Sequence, residues 1–333
     1  MRLLRSFFLA TTILSAGAAT AKADINVVTS IKPVHSLVSA VMEGVGTPHL
    51  IVEGAASPHT YALKPSQAGK LQNADIVFWI GNTLEAFLEK PIDGIATRAK
   101  SVALVEAHGL NQIKFREGGA FDAHDHAHDD HDEHGHDDHD EHKHDEHKHD
   151  EHGHDEHEHN EFDPHVWLDP VNAKAIVHEI EEALSEVDPT NAAAYAANAD
   201  ALMVKLDALV GEVQAELDPV RGRGFIVFHD AYQHFERRFG MSAVGSITVS
   251  PEVLPGAERI GELQDKVRSL DASCVFSEPQ FEPKLVSTVT ENTNAGTGVL
   301  DPLGASIKEG PGLYFTLIRN MASALKGCLS GKG

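Results

Sequence analysis

Forty residues in the middle of this 333-residue chain, Asp122–Glu161, show no apolar periodicity and cannot belong to a core. They are almost entirely His, Asp and Glu with a few Gly and Lys, and bury too little apolar surface to offset the entropy of ordering them. The sequence therefore predicts a disordered insertion here. Any fold has to be built from the residues on either side.

Charge follows the same division. The insertion holds 18 Asp and Glu against two Lys, a contribution of -16 to the chain's net -24, which leaves -8 for the rest. Taken alone, the net -24 would argue against nucleic acid or an anionic membrane as a partner, but the folded part is only mildly acidic. The insertion also holds 15 of the 23 histidines: His124, His126, His128, His131, His134, His136, His139, His142, His144, His147, His149, His152, His154, His157 and His159. Neutral imidazole is a good donor for zinc, nickel and copper, so such a tract offers many overlapping weak metal sites. It does not specify one site, because its spacing fits many ligand combinations equally well.

The N-terminus has Arg2 and Arg5, an apolar stretch from Phe7 to Ala19, and Ala21-Lys22-Ala23 before Asp24. This is the layout of a cleavable signal over residues 1–23. The alternative is a membrane anchor, for which the stretch is shorter than the roughly 20 residues a span requires. No cysteine near the cleavage point could accept a lipid, so the expected location is the periplasm. The two cysteines, Cys274 and Cys328, both fall in the exported part, where an oxidising compartment lets them pair. Metal thiolates are the alternative, although neither cysteine is close in sequence to a candidate histidine.

Short apolar and β-branched runs alternate with helical patterns on both sides of the insertion. Ile25–Ser30, Leu50–Glu53, Ile76–Ile80 and Val102–Val105 read as strands in the first half; Phe225–Phe228, Met241–Ile247, Cys274–Phe276 and Gly298–Leu300 in the second. Such alternation predicts an α/β fold of two lobes, each a small parallel sheet flanked by helices. Between them, Asp188-Pro189 reads as a cap and first turn. Tyr195, Ala199, Leu202, Leu206, Leu209, Val213 and Leu217 follow at three- and four-residue spacing. The expectation is one long, rigid joining helix over 188–217, between a lobe over 24–187 and another over 218–333. From Pro189 it would run roughly 44 Å at about 1.5 Å per residue.

Eight histidines lie outside the insertion, and three have similar settings. His59 follows the second strand in a turn-rich segment. His165 stands between Asp163-Pro164 and Asp169-Pro170, two pairs that pin the backbone. His229 closes the strand Phe225–Phe228, at the carboxyl edge where parallel sheets collect ligands. Asp301 ends the last strand in the same way and offers a carboxylate. Spacing alone leaves their convergence open, since the intervals have none of the compactness of a zinc finger or HExxH motif. His35, His49, His108, His178 and His234 have bland readings in helices and loops.

These segments, together with Ser277-Glu278-Pro279-Gln280-Phe281, Leu300–Gly304 and the two-cysteine arrangement, resemble the ABC-transporter solute-binding proteins specific for zinc and manganese. Within that cluster they look like the periplasmic components of zinc uptake. The resemblance spans Asp24–Cys328 and includes an acidic histidine loop ahead of the second ligand. It implies two lobes with a metal at their interface, His59, His165 and His229 as zinc ligands, and water or Asp301 in the fourth position. It also implies a monomer that performs no chemistry and delivers Zn2+ to an inner-membrane ABC permease, the histidine loop serving as an auxiliary collector or buffer. Some zinc-binding members carry Glu just before the first histidine, but here that residue is Pro58. Manganese-binding relatives carry Glu where His229 stands, and three imidazoles suit zinc better than manganese. A manganese-type adhesin and a metal-dependent hydrolase built on an open three-histidine site remain the competing readings.

Overall fold

Continuous apolar runs bounded by turns form the centre of each half. The computed structural model describes residues 25–116, 121, 162–248, 257–269, 273–281 and 284–331. The residues expected to form the signal and the fifteen histidines of the insertion lie outside these. In the first half, β1 (Val27–Thr29), β2 (His49–Leu50), β3 (Ile76–Trp79) and β4 (Lys100–Ala103) form a parallel sheet in the order β2-β1-β3-β4. In the second, β5 (Phe225–His229), β6 (Ala243–Thr248), β7 (Cys274–Ser277) and β8 (Gly296–Val299) form another in the order β6-β5-β7-β8. All four residues of β3 and all five of β5 are buried, as strands covered on both faces must be.

Helices cover the sheets: α1 (Lys32–Val41), α2 (Pro65–Gln72), α3 (Asn82–Gly94) and α4 (Pro170–Val187) in the first half. After α5 (Ala192–Leu217) come α6 (Gln233–Phe239), α7 (Ala257–Ser269), α8 (Lys284–Val289) and α9 (Leu313–Leu329). Strand periodicity divides the second sheet's side chains. Phe225 and Val227 join the main core, which runs through both lobes, whereas Ile226 and Phe228 join a smaller cluster with Leu263, Val267 and Val286. Gly298 in β8 is required by close approach, since a Cβ there would lie 2.6 Å from the Phe276 ring.

The long joining helix is α5, with all seven stripe residues buried. It starts at Ala192 rather than Pro189, and so extends roughly 39 Å at about 1.5 Å per residue. Asp188 instead terminates α4, its amide donating to Leu184 O. Its carboxylate accepts from the Tyr195 hydroxyl at 2.9 Å and from Asn191, bracing the turn that folds α4 back against α5. The α5 helix also packs on α1 and α9, one from each half; Asn198 Nδ2 donates to Val41 O and Glu43 O at 2.9 Å, and Arg319 pairs with Glu212 at 2.8 Å. Lys32, buried in α1, donates to Ala305 O and Ile307 O beyond β8, so the lobes are joined on this side as well.

Cys274 and Cys328 form a disulfide that ties the start of β7 to the last turn of α9. No helix among the described residues is long and apolar enough to cross a membrane.

Candidate metal centre

Three segments bring His59, His165 and His229 to one point between the carboxyl ends of the sheets. His59 lies in a single 3-10 turn, Pro58–Thr60, where the proline ring fixes the first residue. His165 precedes another such turn, Val166–Leu168, and Asp169 ends that turn by capping α4, accepting from Val171 N at 2.8 Å. Arg238 of the second lobe clamps Asp169 through two contacts of 2.6 and 2.7 Å. His229 is the last residue of β5.

The imidazoles form a nearly regular triangle, with centroid separations of 5.6 Å (His59 to His165), 5.7 Å (His59 to His229) and 5.4 Å (His165 to His229). Their ligand atoms all lie within 4.8 Å of one another. Nitrogens sharing a tetrahedral zinc at about 2.05 Å are roughly 3.4 Å apart, so the side chains need only small adjustments to meet one ion.

Buried carboxylates set which nitrogen each ring presents. His165 Nδ1 donates to Asp163 Oδ1 at 2.7 Å, and the His165 backbone amide donates to the same oxygen at 3.0 Å. His229 Nδ1 donates to Glu278 Oε1, also at 2.7 Å. With Nδ1 carrying the proton, Nε2 is left with its lone pair free, as metal-binding histidines require. His229 Nε2 is buried and has no hydrogen-bond partner among the described residues. An orphaned acceptor of this kind carries a desolvation cost that a bound cation relieves.

Electrostatics act differently on the groups of the site. Burial alone would raise the pKa of Asp163, yet the adjoining His165 and its hydrogen bond hold it below the ordinary carboxylate value. Burial, and then the neighbouring His165 and His229, put His59 well below the usual 6.5, so its ring is neutral. Burial would likewise lower His229, but Glu278 outweighs it and the pKa is raised.

The rings enclose a cavity of about 10 Å³, walled by Leu84, Trp167, Phe281, Pro302 and Leu303. That is room for about one water. Asp301 does not join the three-histidine group. Its carboxylate accepts the amides of Leu303, Gly304 and Ala305 at 3.1, 2.9 and 2.6 Å and Gln280 Nε2 at 3.1 Å. These contacts shape the loop that sets Pro302 and Leu303 over the cavity, with Trp167 Nε1 donating to Pro302 O at 2.9 Å. Two of the bland histidines have structural partners: His234 contacts Asn172 Nδ2 and Asp163 O, and His35 contacts Pro48 O. The orienting role of Asp163 and Glu278 was not read from the sequence. For Asp163 the signal was its place two residues before His165; for Glu278 it emerges only once β7 lies beside β5.

The family model described as zinc-uptake complex component A, periplasmic, matches residues 27–328, nearly the whole chain outside its two ends. The chain belongs to this family. It is 59% identical over 333 residues to the high-affinity zinc uptake system protein ZnuA of Brucella suis biovar 1 (strain 1330), covering 99% of this chain and 100% of that one. Among solved structures, a crystal structure of ZnuA superposes with a TM-score of 0.69 at 24% identity, covering 91% of this chain and all of that one. The solute-binding protein FpvC of Pseudomonas aeruginosa, in complex with Mn2+, gives 0.73 at 17% identity, covering 93% and 100%. The chain therefore shares its two-lobed fold with a protein solved with another metal.

Proposed function

We propose that this protein captures zinc ions in the periplasm and delivers them to an inner-membrane ABC permease, carrying one ion at His59, His165 and His229. The observation that supports this reading is the His229 nitrogen, buried, unpartnered among the described residues and turned outward by the Glu278 carboxylate behind it. Three imidazole nitrogens converging on one small cavity match zinc with water as the fourth ligand, since Asp301 is occupied by loop amides. Membership of a family of metal-binding transport components makes the protein a carrier rather than an enzyme, so affinity and release are its whole mechanism.

In this reading residues 1–23 are a cleaved export signal, and the mature chain is a monomer with lobes over 24–187 and 218–333. The α5 helix joins the lobes stiffly, so loading and release involve modest movements around the site. The fifteen histidines of 122–161 collect or buffer zinc near the cleft.

Calorimetric titration of zinc, with manganese as competitor, tests the assignment on the wild type, on a chain lacking 122–161, and on His59→Ala, His165→Ala and His229→Ala. The expected result is one tight, zinc-preferring site that survives the deletion and is lost in each alanine variant, with weaker sites disappearing only in the deletion. Tight binding retained in all three alanine variants would sink it.

A further inference from the structure

The segment leading into the histidine-rich insertion does more than connect. Lys114 bridges antiparallel to Phe162, and Asp163 N donates to Ile113 O at 2.8 Å, so 113–114 are clipped to the residues just ahead of His165. Arg116, two residues further on, crosses to the second lobe. Its Nη1 and Nη2 donate to Glu236 Oε2 and Oε1 at 2.9 and 3.0 Å, its Nε to Asp230 Oδ2 at 3.0 Å, and its Nη2 also pairs with Asp230 Oδ1. The guanidinium is also stacked 3.9 Å over the Phe121 ring. Asp230 directly follows His229, and Glu236 is anchored in turn by Ala243 N at 2.8 Å. The Asp230 and Glu236 side chains are 2% and 6% exposed, against 22% for that of Arg116.

One planar fork thus ties the chain arm that carries His165 to the arm that carries His229. Arginine is suited to this, because it engages two carboxylates in fixed geometry where lysine is a point charge on a flexible stem. Lys32 joins the lobes on another segment, whereas Asp163, Trp167 and Asp169 tie the His165 arm itself to His234, Pro302 and Arg238; Arg116 is the tie that reaches Asp230, the residue next to His229. We propose that Arg116 is an inter-lobe latch, a positioning residue whose paired contacts with Asp230 and Glu236 hold the His165 and His229 arms together and so slow the escape of the bound metal. This rests on the three-histidine site carrying the ion.

Charge and geometry predict opposite signs. A cation near the site repels Zn2+, so Arg116→Met acting through charge alone would slow zinc release, and Arg116→Lys would leave it unchanged. A latch predicts that both variants release zinc about tenfold faster, since neither retains the fork. Stopped-flow release of zinc into a chelator, from the full-length chain, measures this. The Co2+ absorption spectrum reports whether the three-nitrogen site is intact, and Glu236→Gln gives a second route should either arginine variant fold poorly. The expected outcome is faster release in Arg116→Lys and Glu236→Gln with an unchanged Co2+ spectrum. Release unchanged or slower in Arg116→Lys overturns the latch, as does acceleration accompanied by an altered spectrum. If His229→Ala releases zinc like the wild type, the site assignment itself is what fails.

Discussion

Replacing Glu85 by glutamine should make the metal-free protein more stable above neutral pH. Glu85 is fully buried near the start of α3, where its Oε2 accepts the amides of Ile80 and Gly81 at 2.7 and 3.1 Å. Its backbone (φ -122°, ψ 51°) departs from the helix around it. Burial raises the carboxyl pKa from 4.5 to about 7, although the Ser30 side chain and the Gly81 and Ile80 amides pull it the other way. The folded protein therefore holds this proton more tightly than the unfolded chain does. The contribution is full below pH 4.5, falls as the pH rises toward 7, and stays reduced above it. At about 1.4 kcal/mol per pH unit, the loss across that window is about 3 kcal/mol.

Glutamine keeps an oxygen for both amides and has no charge to bury, so its stability should not carry this dependence. Urea unfolding of both proteins in chelator at pH 4.5, 6 and 8 isolates the effect, because every other titrating group is common to the pair. The stability difference should shift by about 3 kcal/mol toward the variant between the lowest and highest pH. Zinc affinity at pH 7.5 should change less than twofold, since it is Leu84, and not Glu85, that lines the three-histidine cavity. A pH-independent difference, or a variant less stable than wild type at pH 8, would refute the reasoning.

Two further outcomes follow from the site and the fold. Asp163→Asn and Glu278→Gln, which weaken the grip on His165 and His229 Nδ1, should each lower zinc affinity about 10- to 100-fold in competition with a calibrated chelator, while unfolding transitions of the metal-free proteins stay cooperative. Replacing Cys274 and Cys328 together by serine frees a loop spanning a sequence separation of 54 and should cost about 4 kcal/mol in denaturant unfolding, with little effect on zinc affinity.

The lobes were legible because their signals are local. The runs around Val27, Ile76, Phe225 and Cys274 need only burial on both faces to be strands, and the α5 stripe needs only helical spacing. The sequence places the start of the long helix at Asp188-Pro189 because Asp-Pro is compatible with capping a new helix, whereas Asp188 ends the one before it and braces Tyr195. Three site histidines could be singled out because each follows or closes a local element. Their orientation could not be read, because Glu278 reaches His229 only through the strand order β6-β5-β7, a tertiary choice that no short stretch encodes. Asp301 stands out by its strand-end position and by the family resemblance; the contacts its carboxylate makes are set by the turn after it, whose amides fold back onto its oxygens.

Metal choice illustrates where specificity resides in such a fold. A chain with the same two-lobed architecture is known in complex with Mn2+ at a TM-score of 0.73, so architecture does not select the ion. In the proposed function, the donors and the space around them do. On the proposed assignment, three imidazole nitrogens around a small cavity suit a tetrahedral ion better than the oxygen-rich shell that harder cations keep. The acidic groups nearby, Asp163 and Glu278, sit one hydrogen bond behind the rings, where they add basicity to the nitrogens without presenting oxygen to the metal. The histidine-rich run has five times as many imidazoles as this site, yet number confers no geometry. Discrimination between similar divalent ions depends on donors whose positions are fixed before the ion arrives, and here a strand end, two proline-bounded turns and two buried carboxylates fix them.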